Sequence, residues 1–492
     1  MSVIKQNISR HFINRVTIVF SGLTIFGLLL SGCAAVGPDY VPPEVSAPKK
    51  WSASLAGGLS AEAMDPENMA NWWSTLNDPT LTSLIERAVA NNLDLRQAQA
   101  RVREARARRG ISQARRFPTI GAGGVGGLVN VVRSSEETGS GTETDLYAVG
   151  FDAGWELDVF GGVRRSVEAA EAALEASKEG LHDVMVSLLA EVALNYVEVR
   201  SFQTRLSIAE ANQKAQEETY GITRARYESG LTSDLDVEQA RYNLEGTRSK
   251  TPPLQIGLEQ ARNRLAVLLG QNPGTLKDEL TERKDIPITP LDVAVGVPAE
   301  VLRRRPDVRK AESELAAQSA QVGVATAELY PKFMLTGSIG LEALSLGNLF
   351  STGNRAYGIG PSFQWNIFDG GRIRQNIKVQ SALQEQALLS YEASLLTALE
   401  DIENALTAYA KEQTRRQSLA EASRAAQRAV ELAQNQYTSG LIDFQAVLDA
   451  QRALLSLQDQ LAQSKGAVTS NLISLYKALG GGWTSLAPAS EN

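Results

Sequence analysis

The sequence is poor in the residues that build most catalytic and metal centres. Among 492 residues there is one cysteine, Cys33, and there are two histidines, His11 and His182. A single cysteine excludes an internal disulfide framework. With one histidine inside an amino-terminal leader, a His/Cys metal site has no sequence basis. The five methionines, Met1, Met64, Met69, Met185 and Met334, give no support to a soft-metal relay. Proline is missing from residues 119 to 251, and neither glycine nor proline occurs between Arg372 and Ser439. Such long uninterrupted stretches leave room for very long helices.

What is present begins with a leader. Lys5, Arg10 and Arg15 precede Val16 to Leu30, an apolar stretch without a charge. It is short and leads into small residues, so residues 1–32 read as a secretory signal and not a spanning helix. Its removal takes the net charge from −7 to −10, because three basic residues leave and no acid does. That acidic balance argues against nucleic acid as a partner. Leu30-Ser-Gly-Cys33 resembles a bacterial lipobox, which would make Cys33 the lipidated first residue of the mature chain, with a covalent lipid and no other cofactor. Ala34, in place of an aspartate, points in the lipoprotein sorting pattern to the outer membrane. Several acyl chains, each methylene contributing about 0.8 kcal/mol, would hold the chain durably at a membrane.

The chain is organised around residues 146–229. Tyr147, Val149, Phe151, Ala153, Trp155 and Leu157 alternate with Gly150, Asp152, Gly154, Glu156 and Asp158. Period two gives an apolar face and an acidic, small-residue face. After Gly161-Gly162 the period becomes seven, with Val167, Leu174, Leu181 and Leu188 in one series and Met185, Val192, Val199 and Leu206 in another. A helix from about Arg165 to Glu228 would be on the order of 95 Å long.

Taken in order, Val36 to Pro48 reads as an extended segment. Trp72-Trp73 and Asp78-Pro79 lead into a helix expected from about Leu81 to Arg116. Residues 118–158 read as a hairpin with a polar loop from Arg133 to Asp145. The long helix ends at Gly230-Leu231, Asp234 is expected to cap the returning helix, and Pro252-Pro253 should break it. Residues 271–306, with Pro273, Pro287, Pro290, Pro298 and Pro306, read as an irregular connector.

The second half repeats the first. Asp94 to Pro118 aligns with Asp307 to Pro331, and Trp155, Tyr227, Gly230-Leu231 and Gly270 align with Trp365, Tyr437, Gly440-Leu441 and Gly480. A strand from Tyr357 carries Ile359, Phe363, Trp365 and Ile367 on one face, and Leu388, Leu395, Ile402 and Tyr409 keep a seven-residue step. The expected division is a signal over 1–32, an amino-terminal segment over 33–80, repeats over 81–270 and 307–482 around the 271–306 connector, and a tail over 483–492.

Four strands per chain, apolar on one face, suit a barrel wall with lipid outside and water inside. Four strands cannot close, and open edges are not tolerated in a membrane, so the chain must oligomerise. The fold class is a mixed α and β membrane protein with an internal two-fold repeat.

The segments Val36-Gly-Pro-Asp-Tyr40, Trp155-Glu-Leu-Asp-Val-Phe-Gly-Gly162, Arg303-Arg-Arg-Pro-Asp-Val308, Phe368-Asp-Gly-Gly371, Val447-Leu-Asp-Ala-Gln-Arg452 and Tyr476-Lys-Ala-Leu-Gly-Gly-Gly-Trp483 carry a family resemblance. The chain resembles the TolC family of outer-membrane efflux proteins, in particular its OprM-like and NodT-like lipoprotein branch. The resemblance implies a homotrimer with a twelve-stranded transmembrane β-barrel, a long periplasmic α-helical barrel and a mixed equatorial domain. It implies three partners: outer-membrane lipid, a periplasmic membrane-fusion adaptor and an inner-membrane RND-type transporter. The chain would be the passive exit duct for small toxic molecules, with no enzymatic activity.

By the same resemblance, Arg226, Tyr227, Gly230, Leu231, Tyr437, Gly440 and Leu441 form adaptor-docking tips. Asp449 and Arg452 line a constriction, with Gln445 one turn earlier where relatives often place an apolar plug. The first half has Gln239 and Tyr242 at the equivalent places, so three copies of Asp449 would make the acidic ring. Tyr147, Phe151, Trp155, Tyr357, Phe363 and Trp365 are the expected membrane face. A type I protein-export duct and a lipid-anchored periplasmic coiled-coil scaffold are the competing readings.

Overall fold

The structure, a computed structural model, describes residues 35–44, 47–63, 65–131, 142–287 and 292–484. The leader, Cys33, Ala34 and the tail from residue 485 lie outside the described residues. In chain order the elements are β1 (Leu59–Ser60), α1 (Pro66–Ala70), α2 (Pro79–Asn91), α3 (Leu93–Ala114), β2 (Thr119–Val131), β3 (Thr142–Leu157), α4 (Gly162–Glu228), α5 (Asp234–Arg248) and α6 (Thr251–Leu268). There follow β4 (Val293–Ala294), α7 (Pro298–Arg304), α8 (Pro306–Ala327), β5 (Lys332–Ala343), β6 (Arg355–Gln364), α9 (Arg372–Thr438) and α10 (Phe444–Ala478). The two long helices, α4 and α9, have 67 residues each.

The chain divides into two compact units. The first draws on Arg103–Ala176 and Glu312–Ser390, with the amino-terminal segment through Pro43. Its centre is an antiparallel sheet in the order β2-β3-β5-β6. Glycine-rich β2 has little strand preference of its own. It is a strand because every residue from Thr119 to Val131 finds a partner on β3. For the same reason β3 starts at Thr142, inside the stretch expected to be loop. The strand expected to reach Ile367 stops at Gln364, which pairs with Lys332. The residue before Lys332 is Pro331, which has no N–H to continue the ladder, so Trp365 lies just past β6.

The second unit contains Glu44–Val102, Ser177–Ala311 and Tyr391–Asn492. Its core gathers around Trp72, stacked on Tyr476 with ring centroids 5.5 Å apart. Leu81, Leu84, Ile85 and Ala88 fall on one stripe of α2 and are fully buried there. Each leucine so buried contributes about 2 kcal/mol. Leu181, Met185, Leu188, Val192, Val199 and Leu206 of α4, read as heptad positions, are all buried in the same core. Tyr196 donates to Asp78 at 2.6 Å and accepts from buried Arg200 at 3.0 Å. Burial, then the bond to Asp78, pushes the Tyr196 phenol up to about 12.

Three further expectations need correction in this unit. The helix read from Leu81 to Arg116 is two helices, because Asn92 leaves the helical conformation with ψ 133°. Its Oδ1 accepts from the Leu95 N–H at 2.9 Å, so it opens α3 as a cap. The cap of α5 is Ser233 and not Asp234, with Ser233 and Asp236 forming a reciprocal capping box. The 271–306 connector is not wholly irregular, since β4 pairs in parallel with β1 and α7 occupies Pro298–Arg304. Pro252 and Pro253 do break the returning helix as expected. They stand in the first turn of α6, where a missing N–H costs little.

Candidate pore wall, constriction and docking tips

The sheet has two chemically different faces. Residues paired across strands share a face, so Phe151, Ile339 and Tyr357 form one row and Asp152, Ser338 and Gly358 the next, pointing the opposite way. The first face carries Val149, Phe151, Trp155, Ile339, Tyr357, Ile359 and Phe363, all exposed. Tyr147 shares it and is half-buried. The tryptophans fix its lower border in both repeats. Trp155 Nε1–H donates to the Arg116 carbonyl at 2.9 Å, and Trp365 Nε1–H donates to the Leu329 carbonyl at 3.0 Å. An apolar ring with a satisfied polar edge is what a membrane–water boundary selects.

Each strand-to-helix passage is capped by an aspartate. Asp158 accepts from the N–H groups of Val163 and Arg164, opening α4. Asp369 accepts from Gly371 and Ile373, opening α9, and the Ile373 bond holds its carboxyl below the usual carboxylate range.

At their far ends α4 and α9 stop in the same way. The Gly230 N–H donates to the Tyr227 carbonyl and the Leu231 N–H to the Arg226 carbonyl, both at 2.8 Å, with Gly230 at φ 70°. Gly440 and Leu441 repeat the pattern on Tyr437 and Gln436, with Gly440 at φ 73°. Both are Schellman ends, in which the left-handed residue is best supplied by glycine. The leucine after each glycine is left in solvent, 68% exposed for Leu231 and 74% for Leu441. The two turns are tied together, since the Arg226 guanidinium lies 4.9 Å from the Tyr437 ring centre. Tyr437 also packs on Phe444 at 5.1 Å, whereas Tyr227 is exposed, so the two tyrosines of the repeat have different surroundings.

Just beyond the second turn, Gln445, Asp449 and Arg452 form one network along α10. Gln445 Nε2 donates to Asp449 Oδ1 at 2.9 Å, and the Arg452 guanidinium lies 3.5 Å from the same oxygen. Arg452 also reaches α5, donating to Asn243 Oδ1 at 3.0 Å and to the Tyr242 hydroxyl, with the Tyr242 ring centre 5.0 Å away. Asp449 stays 61% exposed, so the network holds the carboxylate without covering it.

The outer membrane efflux protein family matches residues 84–271 and 297–481, one span for each repeat. The chain belongs to the outer membrane efflux protein family. Nodulation protein T of Rhizobium leguminosarum bv. trifolii is 33% identical over 472 residues, covering 94% of this chain and 97% of its own. The probable efflux pump outer membrane protein TtgC of Pseudomonas putida is 32% identical over 464 residues, covering 94% and 95%. The solved structure of the outer-membrane channel OprN superposes with a TM-score of 0.86 at 37% identity, covering 92% of this chain and all of that one. The chain is thus an outer-membrane efflux channel protein.

Two features of this efflux protein escaped the reading of its sequence. The first is Arg165, nearly fully buried at the start of α4. It donates to the Val36 carbonyl at 3.1 Å and pairs with Asp39 at 2.6 Å and Glu168 at 2.8 Å. Gly37, at φ 89°, packs so closely that a Cβ there would stand 2.4 Å from the Gly323 Cα. The segment that follows Cys33 is therefore seated on α4 and α8. The second is a cavity of about 390 Å³ lined by Asp183, Arg305, Asp307, Asp401 and Lys477, which come from four separate stretches of the sequence.

Proposed function

We propose that the protein is the passive exit duct of a tripartite efflux system, working as a homotrimer. The observation that carries this reading is the sheet order. β2 and β6 are the edge strands, each paired on one side only among the described residues, and the face between them is apolar. Unpaired edges have no water to satisfy them in a bilayer, so other copies must pair with them. Two copies would give about the smallest barrel, whose interior side chains fill. Three copies give twelve strands, with glycine, serine and aspartate turned to the lumen.

The exposed leucines at the tips suit docking by a periplasmic adaptor, which bridges to an RND-type inner-membrane transporter that supplies the energy. Relatives named for antibiotic efflux and for toluene efflux support small toxic molecules as cargo. A duct of this kind conducts; it does not catalyse. Lipidation of Cys33 would anchor each subunit on the periplasmic side. Around the pore axis, three Asp449 carboxylates form an acidic ring held by Arg452. Gating separates α10 from α5, breaking the Arg452 bonds to Tyr242 and Asn243.

Conductance in planar bilayers tests this directly. Asp449→Ala with Arg452→Ala should raise single-channel conductance and weaken cation preference. Unchanged conductance and unchanged efflux in cells would remove these residues from the constriction.

A further inference from the structure

A groove crosses the apolar face of the sheet between two rows of side chains. One row is Phe151, Ile339 and Tyr357; the other is Val149, Leu341 and Arg355. The row between them turns to the opposite face and consists of Gly150, Gly340 and Ala356, so the floor of the groove is nearly bare backbone. Its volume is about 660 Å³. None of the lumen-facing residues Asp152, Ser338, Ala148 or Glu342 lines it. The groove therefore opens towards lipid and not towards the pore.

Arg355 is out of place on such a face. It is exposed, and among the described residues it makes no ion pair and no side-chain hydrogen bond. Its height resolves the difficulty. From Trp365 the chain climbs ten residues to Arg355, about 33 Å along the strand and about 23 Å along the membrane normal at a tilt of about 45°. That matches the lipid-facing band of about 25 Å. With Trp155 and Trp365 at the border next to the helices, Arg355 stands at the opposite border. A guanidinium there meets headgroups, and its planar fork fits phosphate oxygens two at a time.

We propose that this groove is a binding site for a phosphorylated glycolipid of the outer leaflet. One acyl chain lies over the glycine floor between the Phe151 and Val149 rows, and a headgroup phosphate is held by Arg355. The four strands of the sheet, about 4.8 Å apart, give the groove a length of roughly 15 Å, enough for most of an acyl chain. The proposal rests on the duct reading, since it needs the sheet in the membrane with its helices on the periplasmic side.

The test uses the full-length protein purified in detergent, with bisphosphorylated hexa-acyl lipid A as the probe. Native mass spectrometry after detergent exchange counts the lipid retained. Wild type should keep the probe and lose its dephosphorylated form. Arg355→Ala should lower retention about tenfold or more, and Arg355→Lys less. Gly124→Leu fills the groove from its wall, where a Cβ meets the Ala148 carbonyl at 3.4 Å and Val149 Cγ2 at 3.9 Å, both ordinary contacts, and should also lower retention. Equal retention by Arg355→Ala and wild type overturns the proposal. So does equal retention of phosphatidylethanolamine, or displacement of the probe by inorganic phosphate. Conductance of the same preparations separates the two readings: normal conductance without retained lipid sinks the groove alone, and a protein that never inserts sinks the duct and the groove together.

Discussion

Arg305 donates through Nη1 to the carbonyl of Ala478 at 2.9 Å, closing the end of α10 against the start of α8. The other repeat does the same with a different residue, as Asn92 Nδ2 donates to the Leu268 carbonyl at 2.9 Å. Leu268 and Ala478 are 210 residues apart, the spacing of the repeat, so the contact is duplicated although the donor changed from amide to guanidinium. Arg305 must also be neutralised, and Asp307 at 2.7 Å and Asp401 at 3.0 Å do so.

Loss of Arg305 should therefore cost more than loss of Asn92. Arg305→Ala leaves two acids without their cation and should destabilise by about 3 kcal/mol, the low end for such a pair because Asp401 is half exposed. Asn92→Ala should cost about 1–2 kcal/mol. Thermal melting followed by helical circular dichroism in detergent ranks the two; the reverse order would contradict the assignment.

Asp183 should make stability depend on pH in the unusual direction. Burial, and then repulsion from Asp307, raise its carboxyl above the usual carboxylate range, while Lys310, Lys477 and Arg305 pull it back. The folded state thus favours the protonated acid. Its contribution is full below the unfolded value of about 4 and is lost as pH rises through the higher folded value. Asp183→Asn should melt above wild type at pH 7, with the gap closing below pH 4. Equal melting at both pH values would show that the carboxylate is well solvated.

The tips should separate docking from folding. Leu231→Asp and Leu441→Asp alter side chains already in solvent, so trimer formation and melting should not change. Adaptor binding should weaken about tenfold for each, as measured by co-purification with the cognate adaptor. Gly230→Ala should instead cost about 1 kcal/mol of stability, because φ 70° disfavours a Cβ.

The amino-terminal segment should come loose when either half of its seat is changed. Gly37→Ala pushes a methyl into the Gly323 backbone, and Arg165→Ala removes the partner of Asp39 and the Val36 carbonyl. Both should speed proteolysis within residues 35–44 while leaving the sheet intact on heat-modifiability gels. Cleavage at the wild-type rate would mean the segment is held elsewhere.

Much of this protein was legible because periodic patterns act locally. Alternation from Tyr147 to Leu157 could only be a two-faced strand, and seven-residue steps through α4 named the side chains that are buried there. The glycines of the two tips were readable for the same reason, since a Schellman end is decided within six residues. The break at Asn92 had a local signal, two poor helix formers with a favoured cap at Asn92, which the helix formers on either side outweighed. Its second bond, to the Leu268 carbonyl, lies 176 residues away and was not readable. The weak strand β2 was likewise settled by its neighbour and not by its own glycines.

The sequence by itself determined the repeat, the two-faced strands β3 and β6, the long helices and the family, because each is written in residues close together or in spacing that recurs. Only the tertiary structure decided that Arg165 seats the segment after Cys33, that Arg305 stands in for Asn92, and that Arg452 ties α10 to α5. Those are pairings between distant residues, and a charge in a sequence does not say which opposite charge or carbonyl the folded chain will bring to it.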